Sequence, residues 1–84
     1  MERSTNTEGD KMKTRTVEMV NEDSNRFAIF QAWGDVIISR TDERGPGVSR
    51  RIVRDFATAS RALDFAIGGH SVAGYRVLSD STVG

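Results

Sequence analysis

The chain has 84 residues, with twelve basic and twelve acidic side chains, one histidine and no cysteine. This length allows one small domain, and the missing cysteine excludes disulfides and thiolate metal sites. Residues 1–13 lack the apolar core of a secretory signal, and no run approaches the roughly 18 apolar residues of a membrane span. We therefore expect a cytoplasmic protein whose residues 1–13 form a disordered tail.

Alternating apolar residues predict the first three strands of an antiparallel sheet. Residues 14–20 (TRTVEMV) are rich in β-branched side chains, and residues 26–33 (RFAIFQAW) carry apolar residues on both faces. Gly34-Asp35 then leads into residues 36–41 (VIISRT), and a short glycine-containing link between two such runs predicts a β-hairpin. Because residues 26–33 are apolar on both faces, we expect them to form a central strand.

A fourth predicted strand, residues 48–56 (VSRRIVRDF), follows a turn at residues 42–47 (DERGPG). Arginines occur on both faces of this strand, which is typical of the edge of a sheet. The strand belongs to a basic region, residues 40–61, which holds six arginines and three carboxylates. Arginine suits bidentate contacts with carboxylate or phosphate, although a solvated face with local ion pairs explains the same composition.

A helix is predicted after the fourth strand. Thr58 or Ser60 is the expected N-cap, and Gly68-Gly69 is the expected end, because glycine readily adopts the left-handed conformation of a C-terminal cap. Between them, apolar residues recur at helical spacing and form one stripe: Ala59, Ala62, Leu63, Ala66 and Ile67.

The predicted elements make up one domain over residues 14–78, with a short return over residues 70–78 that ends in a possible strand or helix, and a flexible tail over residues 79–84. Consecutive antiparallel strands with short links, followed by a helix, form a two-layer α+β arrangement. The expected fold is therefore an antiparallel sheet of three to four strands with one main helix packed on one face.

The inventory of reactive side chains argues against an enzyme. His70 is the single histidine and falls in a predicted loop, so neither a histidine-based catalytic triad nor a zinc site has its partners. The glycines at positions 45 and 47 lie in a predicted hairpin turn, without the strand–loop–helix order and the Lys-Ser/Thr pair of a phosphate-binding loop. We expect no catalytic residue, no cofactor and no metal.

Binding is the function class that remains. One helix covers only one face of a sheet, and Phe27, Phe30 and Trp33 lie on both faces of the strand over residues 26–33. Some of these aromatic side chains are therefore expected to be exposed, unless the aromatic core is fully buried. An exposed aromatic residue beside arginines and carboxylates is a typical interface hot spot.

The order of motifs after residue 26 suggests a known family. Six features follow one another along the chain. They are a hairpin strand with aromatic residues (RFAIFQAW), a glycine turn, a second strand with arginine, the Arg54-Asp55-Phe56 segment, an amphipathic helix (TASRALDFAIGG) and a later AGYRV segment. This pattern resembles the small anti-CRISPR proteins that phages use against the type I-F surveillance complex. The resemblance covers more than half of the chain.

That resemblance implies a non-catalytic inhibitor that binds backbone subunits of the RNA-guided complex and blocks hybridisation of target DNA with the guide. It implies contacts from a sheet aromatic, here Phe30, and from an acidic residue that meets lysines of the partner, here Asp42. We expect a monomer in the host bacterial cytoplasm, with a bacterial type I CRISPR surveillance complex as its partner. The predicted partner-binding residues are Phe30, Trp33, Arg40, Asp42, Arg50 and Arg54.

A second resemblance leads to an alternative function. A second pattern in the chain is similar to the WGR domain of bacterial regulators and poly-ADP-ribose polymerases. It consists of Arg40, Arg44-Gly45, Gly47, Phe56, Ala62, Phe65 and Gly74-Tyr75. That domain is also a sheet with one helix and binds DNA, although its Trp-Gly-Arg signature is replaced by other residues at the matching place. The resemblance implies a nucleic-acid-binding module with an arginine-rich sheet edge, whereas the neutral overall charge argues against one. A regulatory subunit of a larger assembly is a third alternative.

Overall fold

The computed structural model describes residues 13–42 and 48–84, which form five strands and one helix. All neighbouring strands pair antiparallel, in the order β4-β3-β2-β1-β5. The predicted α+β class is thus confirmed, and the three to four expected strands become five. The elements are β1 (Thr14–Asn21), β2 (Arg26–Trp33), β3 (Val36–Thr41), β4 (Val48–Ile52), α1 (Phe56–Val72) and β5 (Arg76–Val83).

Two short turns set the register of β1, β2 and β3. In the β1–β2 turn, Asn25 adopts a positive φ of 57°, a conformation that asparagine tolerates better than most residues. In the β2–β3 turn, Gly34 has a φ of 60°, and its N–H donates to the carbonyl oxygen of Lys13 at 2.9 Å. β2 consequently lies at the centre of the sheet, as its apolar pattern predicts.

β5 corrects the prediction of a flexible tail over residues 79–84. This segment, apart from Gly84, belongs to a strand that pairs with β1 over its whole length, with a β-bulge opposite Glu18 and Met19. The polar sequence of the segment gives no strand signal by itself. Its backbone forms a strand because the second edge of β1 offers N–H and C=O groups that need partners.

The core lies between α1 and one face of the sheet, called here the covered face. α1 lies chiefly across β2, where Ala28 and Ala32 are fully buried and leave room for close approach of the helix. Within the described ranges no polar or charged side chain is buried, and the core consists of Val17, Met19, Ala28, Phe30, Ala32, Ile37, Ala59 and Leu63.

Both ends of α1 differ from the sequence prediction. The N-cap is Asp55, whose side chain accepts the Thr58 N–H at 2.8 Å, so neither Thr58 nor Ser60 is the cap. This hydrogen bond lowers the pKa of Asp55, and it starts the helix at Phe56 while β4 already ends at Ile52. The prediction of a strand over residues 48–56 was therefore four residues too long.

At the other end, α1 continues through Gly68-Gly69 to Val72. The expected glycine cap is displaced to Gly74, which has a φ of 101° and is followed by a Tyr75 N–H that donates to the His70 carbonyl at 2.9 Å. His70, expected in a loop, is consequently a helical residue. Gly68 and Gly69 are exposed residues within the helix, and the left-handed stop lies at Gly74.

Arg15 ties α1 to β5 at the border of the covered face. Its guanidinium donates to both carboxylate oxygens of Asp80, at 2.9 and 2.7 Å, and to Asp64 and the Ser60 hydroxyl, each at 2.8 Å. The Arg15 side chain is only 12% exposed. The hydrogen bonds between Arg15 and Asp80 favour the charged form of both side chains. They lower the pKa of Asp80 and raise the pKa of Arg15.

The predicted tail over residues 1–13 lies, except for Lys13, outside the described residues. Within the described ranges α1 is the single helix, and it lacks the length and apolar character needed to cross a membrane.

Candidate functional site

The candidate site is the sheet face that points away from α1, called here the open face. Side chains alternate between the two faces along each strand. On β2 the buried Ala28, Phe30 and Ala32 define the covered face, so the residues between them point to the open face. No element in the described part of the chain packs against the open face, because α1 occupies the other one.

An apolar row crosses the open face at one end. The strand register places one residue of each strand side by side in the order Val83, Thr14, Trp33, Val36 and Ile52. Trp33 is 58% exposed, Ile52 73% and Val83 68%. Apolar side chains in water at this density are typical of a surface that binds another molecule.

A charged row runs parallel to the apolar row, four residues further along β2. It consists of Ser79, Glu18, Ile29, Arg40 and Val48, again one residue per strand. Glu18 and Arg40 lie on opposite sides of Ile29 and carry opposite charges. Neither makes a salt bridge or side-chain hydrogen bond with any other described residue.

The row between the apolar and charged rows consists of Ser81, Thr16, Gln31, Ile38 and Arg50, and it is mainly polar. Gln31 donates to the hydroxyl of Thr16 at 3.3 Å near the middle of the open face. Arg50 lies at the β4 end of this row, diagonally next to Arg40 on β3. Such diagonal neighbours are within reach of long side chains, so the two guanidinium groups form a small positive corner.

The structure places three of the predicted site residues on the open face and one of them, Phe30, on the covered face. Trp33, Arg40 and Arg50 share the open face. Phe30, however, is 4% exposed and packs beneath α1, so its assignment to partner contact was wrong. Alternation along β2 gives the reason, since Phe30 is an odd number of residues from Trp33 and must point to the opposite face.

The two other predicted site residues lie at the border of the open face. Asp42 follows β3, is exposed, and accepts the backbone N–H of Phe27 through its Oδ2 atom at 3.3 Å. Arg54 lies in the bend between β4 and α1 and is exposed. Asp42 therefore stands beside the partly exposed Phe27, at the far end of β2 from Trp33.

Sequence reasoning missed several residues of the open face. Ile52 and Val83 join the apolar row only through pairing of distant strands, and Glu18 acquires its place opposite Arg40 in the same way. Correct alignment of the four predicted strands reveals Ile52 and Glu18. Val83 depends on the last part of β5, for which the sequence gives no strand signal.

The covered face carries a partly buried aromatic cluster that sequence reasoning also missed. The ring of His70 packs edge-on against Phe30 and Tyr75, with ring centroids 4.9 Å apart in both pairs. Its Nδ1–H donates to the carbonyl oxygen of Ala66 at 3.0 Å. These contacts assign the single histidine of the chain to packing.

A cleft of about 450 Å³ opens between α1 and the β3–β4 side of the sheet. Ser39, Ser49 and Arg51 provide its polar lining, and Phe30 and Leu63 close its apolar side. The described residues contain no group of three metal-ligating side chains, in this cleft or elsewhere. By arrangement and exposure, the open face offers a surface for binding.

The comparisons with known proteins identify no relative. No family model matches the chain, and neither the curated proteins nor the solved structures give a significant match.

Proposed function

We propose that this protein is a non-catalytic inhibitor that binds a type I CRISPR surveillance complex through the open face and blocks recognition of target DNA. The observation that carries the proposal is the apolar row, in which Trp33, Ile52 and Val83 are largely exposed on an uncovered sheet face. The motif order after residue 26, which resembles small anti-CRISPR proteins, supports the identity of the partner. The site of action is then the bacterial cytoplasm.

In this proposal the aromatic contact comes from Trp33, because Phe30 is buried. A tryptophan in the middle of an apolar row has the size and rigidity of a hot spot residue. Asp42 is exposed at the other end of β2, where its carboxylate can meet a lysine of the partner. Partner recognition thus combines an apolar anchor with an acidic contact about 20 Å away, the length of a strand of this size.

The test is inhibition of purified type I surveillance complexes loaded with guide RNA. We expect the protein to co-migrate with the complex in size-exclusion chromatography and to prevent its binding to labelled target DNA. Trp33→Ala should weaken inhibition by about 30-fold, the effect of a hot spot of about 2 kcal/mol. Phe65→Ala is the matched control, because Phe65 is an exposed aromatic residue on α1. Absence of co-migration and unchanged DNA binding with all type I complexes would refute the proposal.

A nucleic-acid-binding module is the second candidate, favoured by the positive corner of Arg40 and Arg50. Phosphate contacts make affinity fall steeply with salt. In a titration with labelled duplex DNA, Arg50→Gln and Arg54→Gln should each reduce the slope of log affinity against log salt by about one. Absence of binding at low salt would eliminate this candidate and leave the inhibitor proposal untouched.

A further inference from the structure

The pattern of charges and apolar residues on the open face is self-complementary. Its apolar row is nearly symmetric about β2, with Ile52 on the β4 side and Val83 on the β5 side. Its charged row is antisymmetric about β2, with Glu18 on β1 and Arg40 on β3. A surface with these two properties fits a second copy of itself.

The fit follows from the geometry of a two-fold axis that runs parallel to β2 and lies between two open faces. Rotation about this axis keeps the position along the strands and exchanges the two sides of the sheet. β2 then lies over β2 of the second copy, β1 over β3, and β5 over β4. This arrangement is the aligned packing of a β-sandwich, with sheets about 10 Å apart.

Each row meets a suitable counterpart in this arrangement. Trp33 lies over Trp33 of the second copy, and Ile52 lies over Val83 of the second copy on both sides. In the charged row, Glu18 lies over Arg40 of the second copy, and Arg40 lies over its Glu18. Two equivalent ion pairs therefore form between side chains that have no charged partner within the described part of one chain.

We infer that a second copy of this chain covers the open face of the free protein, giving a two-fold symmetric dimer held by the apolar row and two Glu18–Arg40 ion pairs. This inference goes beyond the proposed function and replaces the monomer expected from the sequence. A CRISPR complex that binds the same face competes with the second copy. The dimer is therefore a form in which the exposed Trp33 is protected until a partner binds.

The size of the face sets the strength of the dimer. Five strands about 4.8 Å apart and about five to eight residues long give a face of roughly 20 Å by 20 Å. The area of this face, roughly 400 Å², is smaller than the accessible surface of about 800 Å² that each partner buries in a standard interface. We expect dissociation in the micromolar range, so that dilution separates the copies.

Charge reversal tests the inference directly, with sedimentation equilibrium of the full chain from about 1 µM to about 1 mM. Glu18→Arg and Arg40→Glu each place two like-charge pairs in the dimer and should weaken it by about tenfold or more. An equimolar mixture of the two variants restores both ion pairs in a heterodimer, and association should return. The double variant Glu18→Arg/Arg40→Glu restores them in a homodimer. Recovery in the mixture requires that the pairs join different chains.

Two controls separate loss of the interface from loss of the fold. Asp23→Arg makes the same change of charge as Glu18→Arg at an exposed turn position, and it should leave the dimer unchanged. At a dilute concentration, at which all chains are monomeric, circular dichroism should show the same thermal transition for all variants. A wild-type chain that stays monomeric to about 1 mM overturns the inference, as does failure of the folded variants to associate when mixed. Neither result bears on inhibition of a CRISPR complex, which is measured separately.

Discussion

The two faces of the sheet differ in the exposure of their apolar residues. On the covered face, Ala28 and Ala32 are fully buried and allow α1 to approach closely, and the bulky Phe30 is buried with them. On the open face, the apolar side chains are large and exposed, with Trp33 and Ile52 as the main examples. β2 supplies residues to both faces, so its overall hydrophobicity does not tell which face is the core. Packing against α1, rather than the size of the side chains, therefore distinguishes the core face from the face available for binding.

Two phenylalanines of β2 provide the largest expected contrast between the faces. Phe30→Ala removes a ring that is 4% exposed and leaves a cavity beneath α1, which should lower the free energy of unfolding by about 3–5 kcal/mol. Phe27→Ala, on the open face of the same strand, removes a ring that is 42% exposed and should cost about 1 kcal/mol. Urea denaturation monitored by circular dichroism measures both values.

Because a small domain has limited stability, Phe30→Ala can unfold completely. Phe30→Leu keeps most of the volume and should remain folded, with a loss of about 1–2 kcal/mol. Equal losses for the alanine variants at positions 27 and 30 would contradict the assignment of the two faces.

Arg15 offers the next largest effect, at the border of the covered face. Arg15→Met keeps much of the buried stem but removes the hydrogen bonds to Asp80, Asp64 and Ser60. The expected loss of stability is about 1–2 kcal/mol, because both carboxylates are partly exposed and regain water. Arg76→Met is the matched control, because both Arg76 and its salt-bridge partner Glu22 have largely exposed side chains. A smaller loss for Arg15→Met than for Arg76→Met would refute this bridging role.

Stability should also depend on the protonation of Asp80. Its pKa is lowered by the hydrogen bond from Arg15, so the folded protein binds this proton more weakly than the unfolded chain does. The resulting stabilisation is present above the unfolded pKa of 3.8 and is lost as the pH falls through the lowered folded value. Urea midpoints should therefore fall between about pH 5 and pH 2.

The Asp80→Asn variant isolates this contribution. Its stability should be lower at neutral pH and should change less on acidification than that of the wild type. Some pH dependence should persist, because the pKa values of Glu22 and Asp55 are also lowered, by the hydrogen bonds with Arg76 and Thr58 respectively. Identical pH profiles for the two proteins would show that the Arg15–Asp80 pair does not stabilise the fold.

The first four strands and the helix could be predicted because their patterns are local. Alternation over residues 26–33 and the helical stripe that includes Leu63 depend on neighbouring residues only, and the arginines over residues 48–52 correctly predict a sheet edge. For β5, the sequence leaves residues 76–78 open between strand and helix, and residues 79–83 could not be predicted because these mostly polar residues form a strand only through pairing with β1. The helix end was wrong for a similar reason, since Gly74 provides a better stop than Gly68-Gly69.

The candidate site was predicted only in part. The sequence indicates Trp33, Arg40 and Arg50, whose residue types suit binding. Which face α1 covers depends on tertiary packing, so the sequence could not decide which of Phe30 and Trp33 would be exposed. The charged and apolar rows depend on the register of five strands, which no local pattern contains.

The smallest effect on stability is expected for a substitution of Ile52. This residue has a buried counterpart of the same type on the other face of the sheet. Ile52→Lys places a charge on the edge strand β4, at a side chain that is 73% exposed. Edge strands tolerate lysine, so the free energy of unfolding should change by no more than about 0.5 kcal/mol. The buried counterpart is Ile37 on the covered face of β3, where Ile37→Lys should prevent folding because a charge would lie against α1. Denaturation at a dilute concentration, at which the chain is monomeric, measures the stability of both variants.

At high concentration, Ile52→Lys should reduce self-association, since the lysine would lie over Val83 of the second copy. A variant with unchanged folding and weakened association separates the two roles that one sheet combines, whereas strong destabilisation by Ile52→Lys would mean that the open face contributes to the fold itself.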